Sequence, residues 1–321
     1  MLREYGVPAY TMHALEYTTQ ARGVRDIWLR TRVPWKLFLF VISRADEASS
    51  AAGGTTMSVT DLQLKCFTVE MDGAVCVFRL NRPPANAHNL AMIREFETLI
   101  TEIRFDENVK AAVMASASPR FFSAGADIDE IREKSGEYIG LLSQTSKEIM
   151  MKMRATPKVF VAAVNGHCMG GGMELALACD VRFAGKGNWK VGLPEVHLGL
   201  IPGEGGTQLA GRIMGPSRAL MYMVSGESFG PEKATELGLF DELVEADEVE
   251  KKALEFAHKC ADGPNKAIGF MKVALTEGLE LPIYEAFAYE RQLQNQLFET
   301  PDSKEGVAAF VEKRAPKWGQ K

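Results

Sequence analysis

Long hydrophobic runs are missing from this chain of 321 residues: no uninterrupted one exceeds six residues, the length of Leu37 to Ile42 within Trp35-Lys36-Leu37-Phe38-Leu39-Phe40-Val41-Ile42. That is far short of the ~20 residues a membrane-spanning helix needs, so no integral membrane role is expected. Cysteine pairs are missing too. Cys66, Cys76, Cys168, Cys179 and Cys260 contain no C-x-x-C spacing and are odd in number, which points to reduced thiols in a reducing compartment rather than to a disulfide framework or a zinc site. His13, His88, His167, His197 and His258 show no H-x-x-x-H or other ligand spacing; they read as packing or surface residues, and no metal is expected. Nor is there a surplus of positive charge. With 37 Lys+Arg against 42 Asp+Glu the net charge is -5, which gives no electrostatic reason for nucleic acid or an anionic membrane to be the main partner. A polyanionic ligand would have to be met by local basic groups.

What is present is ordinary globular material, 46% hydrophobic and 25% charged, enough for one large core or for a core with a smaller helical subdomain. Residues 1–56 differ from the rest, with seven basic residues, six of them Arg, five acidic ones and a small-residue stretch from Ala48 to Thr56. The arginines suit a mitochondrial presequence, but Glu4, Glu16, Asp26, Asp46 and Glu47 do not, and the apolar segment starts too late for a secretory signal. The stretch reads as a disordered or non-native extension, with the working protein starting near Met57 and residing in the cytoplasm. A mitochondrial-matrix address is the alternative if residues 1–56 are a presequence.

From Leu64 the pattern is that of a layered α/β protein. Two β-rich runs, Leu64–Met71 and Ala74–Leu80, flank Asp72-Gly73, a pair suited to a tight hairpin turn. Asn89 can cap a helix in which Met92, Ile93, Phe96, Leu99, Ile100 and Ile103 recur at spacings of three and four. A buried strand over Ala111–Ala115, a loop to Ala126, helices from about Asp127 and over 137–154, and a strand over Val159–Val164 follow. A short helix from Gly170 to Cys179 and strands near 181–184, 191 and 240–244 complete this part, with helices opening at Gly205, Pro216 and Pro231. Beyond Asp247 only helical signal remains, at 247–261, 264–277, 282–298 and 301–313. The expected division is a sheet-and-helix core at 57–250 and an all-helical region at 251–321. The helix over 282–298 carries Ile283, Tyr284, Phe287, Tyr289, Leu293, Leu297 and Phe298, more apolar surface than its own body can hide. It either folds back on the core or builds a subunit interface.

Four segments are candidates for chemistry: Arg120-Phe121-Phe122-Ser123-Ala124-Gly125-Ala126-Asp127-Ile128, Asn165 through Leu175, Leu193-Pro194-Glu195-Val196-His197-Leu198-Gly199, and Ile201-Pro202-Gly203-Glu204-Gly205-Gly206-Thr207. Gly170, Gly171 and Gly172 lie between a strand and a helix. There they let backbone N–H groups approach a ligand at the positive end of the helix dipole, although a tight strand-to-helix turn explains them as well. Ala124, among small residues in another loop, can supply a second N–H. Glu174 falls in the first turn of the helix after the glycines, and Glu195 in a turn after a strand. Taken alone, either is an ordinary helix-start or loop charge.

Together these segments resemble the crotonase superfamily, the enoyl-CoA hydratase/isomerase type, in order and spacing from about Cys66 to Lys317. The resemblance implies a spiral of β-β-α turns and a C-terminal helical region that builds trimers or dimers of trimers. It implies Ala124 and Gly171 as backbone donors of an oxyanion hole, and Glu174 and Glu195 as the acid/base pair for hydration of an enoyl-CoA thioester, with no cofactor or metal. Glu174 would orient and deprotonate water, Glu195 protonate carbon 2. Arg120, Ala126, Asp127, Ile128 and Lys304 match positions suited to the CoA part of the substrate. Glu204 departs from the small or aromatic residue common in relatives. It either complements the dipole of the helix starting at Gly205 or alters the acyl pocket. Two other readings stand beside these. Gly226-Glu227-Ser228-Phe229-Gly230 has the form of a nucleophile elbow but follows an expected helix rather than a strand. RNA binding, known among relatives, runs against the acidic balance.

Overall fold

The computed structural model describes residues 58–319; the expectations for residues 1–56 lie outside the described residues. A hairpin opens the fold. β1 (Phe67–Asp72) and β2 (Val75–Leu80) pair antiparallel with Asp72 opposite Val75. Gly73 at the turn takes φ +58°, a left-handed conformation that costs glycine little. In α1 (Leu90–Phe105) the Asn89 side chain accepts the Met92 N–H, and the buried residues are the six that the sequence spacing predicts.

After the hairpin, the next six strands alternate between two sheets. β3 (Ala111–Ser116), β5 (Val159–Val164) and β7 (Val181–Gly185) extend β2 in parallel, and β10 (Glu242–Val244) closes the sheet in the order β1-β2-β3-β5-β7-β10. β4 (Phe121–Ser123), β6 (His167–Met169), β8 (Val191–Gly192) and β9 (Ser228–Phe229) form the second sheet, with β9 antiparallel to β8. β3, β5 and β7 are each followed by a small-sheet strand and then by helix: α2 (Ile128–Glu133) and α3 (Gly136–Arg154), then α4 (Gly171–Ala178), then α5 (Gly206–Met214) and α6 (Pro216–Ser225). This is the spiral of β-β-α turns. The small sheet is in part a correction to the sequence reading, which makes residues 116–126 a loop but places a strand near 191, where β8 lies. Its strands of two or three residues are too short to show an alternation, and are held by pairing with one another.

Alternation along the large sheet sends Cys76, Phe78, Leu80, Met114 and Phe160 to one face, with α1 and α3. The other face takes Val75, Val77, Val113, Val159 and Val161. The second face is covered by α8 (Val249–Ala261), which follows the short α7 (Pro231–Glu236) and lays Val249, Ala253, Ala257 and Cys260 on the strands. The sheet-and-helix packing therefore runs past residue 250, where the sequence reading had ended it. α9 (Asn265–Gly278), α10 (Ile283–Phe298) and α11 (Pro301–Glu312) complete the chain's helical region. α9 docks through the buried Lys272, whose ammonium donates to the carbonyls of Met153 and Lys158 and pairs with Asp180 at 2.9 Å. Close approach there depends on Gly269: a Cβ at this position would lie 2.3 Å from the Pro157 carbonyl oxygen. Gly269→Ala is expected to lower stability by about 1–3 kcal/mol, the usual cost of overpacking, as read by urea unfolding. An unchanged midpoint would show that α9 can move away without loss.

Candidate active site

α4 is apolar on every side and all eight of its residues are buried, the pattern of a helix in the middle of a core. Glu174 is its one charged residue and is 1% exposed. A carboxylate in that position needs compensating donors, and they come from a loop in the next turn of the spiral. The backbone N–H groups of Glu204 and Gly206 donate to Glu174 Oε1 at 2.8 and 2.6 Å. Even so, burial, joined by the charges of Glu204 and Glu195, pushes the Glu174 carboxyl up to about 8 against the opposing hydrogen bonds.

Glu195 opens a short 3-10 turn, Glu195–Leu198, directly after β8. Its side chain lies at the start of α4: Gly170 takes φ +52°, and a Cβ there would be 2.8 Å from Glu195 Oε1. The other oxygen, Oε2, is buried and has no hydrogen-bond partner among the described residues. Burial raises the Glu195 carboxyl above its ordinary value; its own backbone N–H works the other way and the Glu204 charge adds to the rise. The structure thus brings the two glutamates to one helix start from different turns of the spiral.

The backbone beside them is packed as tightly as glycine allows. A Cβ on Gly172 would be 2.5 Å from the Ser123 carbonyl, and one on Gly125 would be 2.8 Å from the Gly171 nitrogen. This contact brings the loop after β4 against the first turn of α4, where Gly171 N–H has no intrahelical acceptor. The expected second donor needs correction. Ala124 N–H already donates to the Ala85 carbonyl at 2.9 Å, so it is not free for a ligand. Two residues on, Ala126 forms a parallel bridge with His88, in which His88 N–H donates to Gly125 O and Asp127 N–H to His88 O. In a parallel bridge the central residue's own N–H points to the opposite side, and that of Ala126, like that of Gly171, has no acceptor among the described residues. Sequence spacing cannot tell which residue of such a loop turns its N–H outward.

Beneath this loop lies a polar cluster that sequence reasoning missed. Glu204 is 8% exposed and its Oε2 meets Ser146 Oγ at 2.8 Å and His88 Nδ1 at 3.1 Å. Burial alone would raise the Glu204 carboxyl. The charge and hydrogen bond of His88, with Ser146 and Lys147, outweigh burial and hold it below its ordinary value. His88, read from sequence as a packing or surface histidine, is buried and also contacts Ser123 Oγ through Nε2 at 3.0 Å.

The remaining sequence candidates are dispersed. Asp127 caps α2 and is bound by Arg82 at 2.7 Å, so its carboxylate is already committed. Arg120 is exposed, with its guanidinium 5.3 Å from the centre of the Phe121 ring, and Ile128 is 57% exposed. Lys304 lies on α11, its nearest carboxylate Glu299 at 3.9 Å, and none of its hydrogen bonds or ion pairs involves the two glutamates. Ser228 of the elbow-like segment begins β9 after helix α6, the reverse of the strand-then-helix context an elbow requires.

A two-sheet spiral with two glutamates and two outward-turned backbone donors at one helix start defines a crotonase-fold protein. The family model described as enoyl-CoA hydratase/isomerase matches residues 70–321. The short-chain-enoyl-CoA hydratase of Clostridium acetobutylicum is 35% identical over 257 residues, covering 79% of this chain and 97% of the relative. The 2,3-dehydroadipyl-CoA hydratase of Escherichia coli is 38% identical over 243 residues, covering 75% and 94%. A solved structure of enoyl-CoA hydratase from Geobacillus kaustophilus superposes with a TM-score of 0.78 at 38% identity, covering 80% of this chain and 97% of that one. The chain belongs to the enoyl-CoA hydratase/isomerase family.

The folded protein holds the Glu174 proton up to about pH 8, whereas an unfolded chain releases it near 4.5. Between these values the native state binds more protons, so stability falls as pH rises through that window. Glu174→Gln keeps an oxygen for the two N–H donors and removes the titration. Urea unfolding at about pH 5 and about pH 8.5 is expected to show wild type losing more stability over the interval than the variant; equal losses would contradict the assignment.

Proposed function

We propose that the protein is an enoyl-CoA hydratase, which adds water reversibly and syn across a trans-2-enoyl-CoA to give the 3-hydroxyacyl-CoA, with Glu174 and Glu195 as its catalytic carboxylates. The observation that carries this reading is the meeting at one helix start of a buried glutamate, Glu174, and a half-buried one, Glu195, both raised above their ordinary value, with two backbone N–H groups that lack acceptors among the described residues. The names of the relatives from Clostridium acetobutylicum and Escherichia coli support it.

Two carboxylates around one water behave as a unit that retains a proton into the neutral range. In the hydration direction the competent form of the pair is the one in which the retained proton has passed from Glu174 to Glu195; Glu174, then ionised, takes a proton from water as the water oxygen bonds to carbon 3. Electrons of the double bond move toward the thioester, and the enolate-like oxygen is stabilised by the N–H groups of Ala126 and Gly171, donors of a kind worth roughly 3 kcal/mol each in other enzymes. Glu195, protonated, delivers its proton to carbon 2. The dyad ends with the proton on Glu174 and is reset when it returns to Glu195. Water is consumed and no other atom is gained or lost, and every proton movement is assigned to a side chain of this protein. A double-bond isomerase needs mainly one such carboxylate, so the presence of both favours hydration.

Arg120 beside the oxyanion loop, and Lys304 if a subunit contact brings it near, are the proposed cations for the CoA phosphates. α10 has no buried side chain in the single chain, and Ile283, Tyr284 and Phe287 are exposed on it. A homotrimer or a dimer of trimers is the assembly we propose for covering them. Five free, buried thiols suit a reducing compartment, the cytoplasm in our reading.

Loss of enoyl-thioester absorbance with crotonyl-CoA tests the proposal. Wild type is expected to react rapidly, and Glu174→Gln and Glu195→Gln each to lower kcat by about 10²- to 10⁴-fold. A wild-type protein inactive on short and long 2-enoyl-CoA alike would overturn the reading and turn attention to 3-enoyl isomers.

A further inference from the structure

The buried contact between His88 and Glu204 has no part in the steps above, and its hydrogen bonds fix the first of its protons. Ser123 Oγ lies 2.8 Å from the Asn86 carbonyl, which has no hydrogen to give, so the single hydroxyl proton of Ser123 goes there. Ser123 Oγ can then only accept from His88, which places a proton on Nε2. The other ring nitrogen, Nδ1, faces Glu204 Oε2, which also receives the Ser146 hydroxyl. Burial at this depth demands a net-neutral pair, which leaves two arrangements: a second proton on Nδ1 facing a carboxylate, or that proton on Glu204 facing a neutral ring. The first gives Oε2 two donors and makes the contact charge-assisted.

The pair also occupies a junction. The His88 backbone holds Gly125 and Asp127 on either side of Ala126, while the Glu204 backbone N–H holds Glu174 Oε1. Between them lies Gly171, where a Cβ would be 2.9 Å from His88 Nδ1 and 3.0 Å from Glu204 Oε2. Resting on the hydratase reading, we propose that His88 and Glu204 are positioning residues of the reaction: an imidazolium–carboxylate pair that ties the Ala126 loop to the loop orienting Glu174 and sets a cation behind the Gly171 amide.

A neutron crystal structure of the full-length protein in deuterated buffer reads the protonation directly. Deuterons are expected on both ring nitrogens of His88 and none on the Glu204 carboxylate; a ring with a single deuteron overturns the proposal. Kinetics with crotonyl-CoA read the positioning. His88→Leu and Glu204→Gln are each expected to lower kcat by ~10-fold or more while changing KM by less than ~threefold. His88→Leu combined with Glu204→Ala removes both charges together and is expected to lose much less than the product of the single losses. Losses that simply multiply, or single variants that turn over like wild type, also overturn it. If a single variant fails to fold, the double variant carries the kinetic test, and kcat lowered by ~10² or more in it overturns the proposal. Wild-type inactivity would sink the hydratase reading alone, because the neutron result decides the state of the pair without turnover.

Discussion

Two backbone N–H groups holding one buried carboxylate set the conditions for the rest of this structure. Glu174 lies on a helix whose other residues are apolar and buried, so no side chain of that helix can satisfy it. Its compensation comes from Glu204 and Gly206, one turn of the spiral later, which means that the loop before α5 has to be held against α4 to within a hydrogen-bond length. That requirement explains the glycine at 206, where a Cβ would meet the Glu174 side chain at 3.0 Å, and gives a reason for a polar anchor at 204. It also accounts for the electrostatics. A carboxylate given only two dipoles, and placed beside two further glutamates, keeps its proton far longer than one in water.

The glycines divide between two tasks. Gly170 supplies a conformation that side chains rarely adopt, and its lack of a Cβ makes room for Glu195. Gly125 and Gly172 serve proximity, Gly125 with a left-handed φ of +86° as well: they let the loop after β4 and the start of α4 come together backbone to backbone. Replacing either kind by alanine would move a group that the chemistry needs, by strain in the first case and by displacement in the second.

The large sheet and its helices were legible in the sequence because their runs are long enough to show a period. The six buried positions of α1 repeat every three or four residues, and the Asp72-Gly73 turn sits between two β-rich runs. Of the small sheet only the strand near 191 was legible, since strands of two or three residues have no period to display and exist only through partners far away in the chain. The place of α8 was hidden for another reason: Ala253 and Ala257 mark a face for close packing, but a helix pattern does not say what it packs on. At the site, Glu174, Glu195 and Gly171 stood out through motif order. The change from Ala124 to Ala126 turns on which way one N–H points, a property set by the bridge to His88 rather than by composition. The His88–Glu204 contact joins residues 116 positions apart, and neither shows its partner from its own surroundings.

Each turn of the spiral delivers one part of the site: the first turn the Ala126 loop, the second Gly171 and Glu174, the third Glu195 and the loop that steadies Glu174. No two of these turns contain the whole arrangement. A chain emerging in order from its N-terminal side would therefore have a nearly complete large sheet before it had any competent centre. The last piece of the site to arrive, the segment around Gly206, still precedes β10 and α8. All parts of the site are therefore present in the chain before the large sheet is closed and its second face covered, so the site waits on the completion of the core rather than on its own last residue.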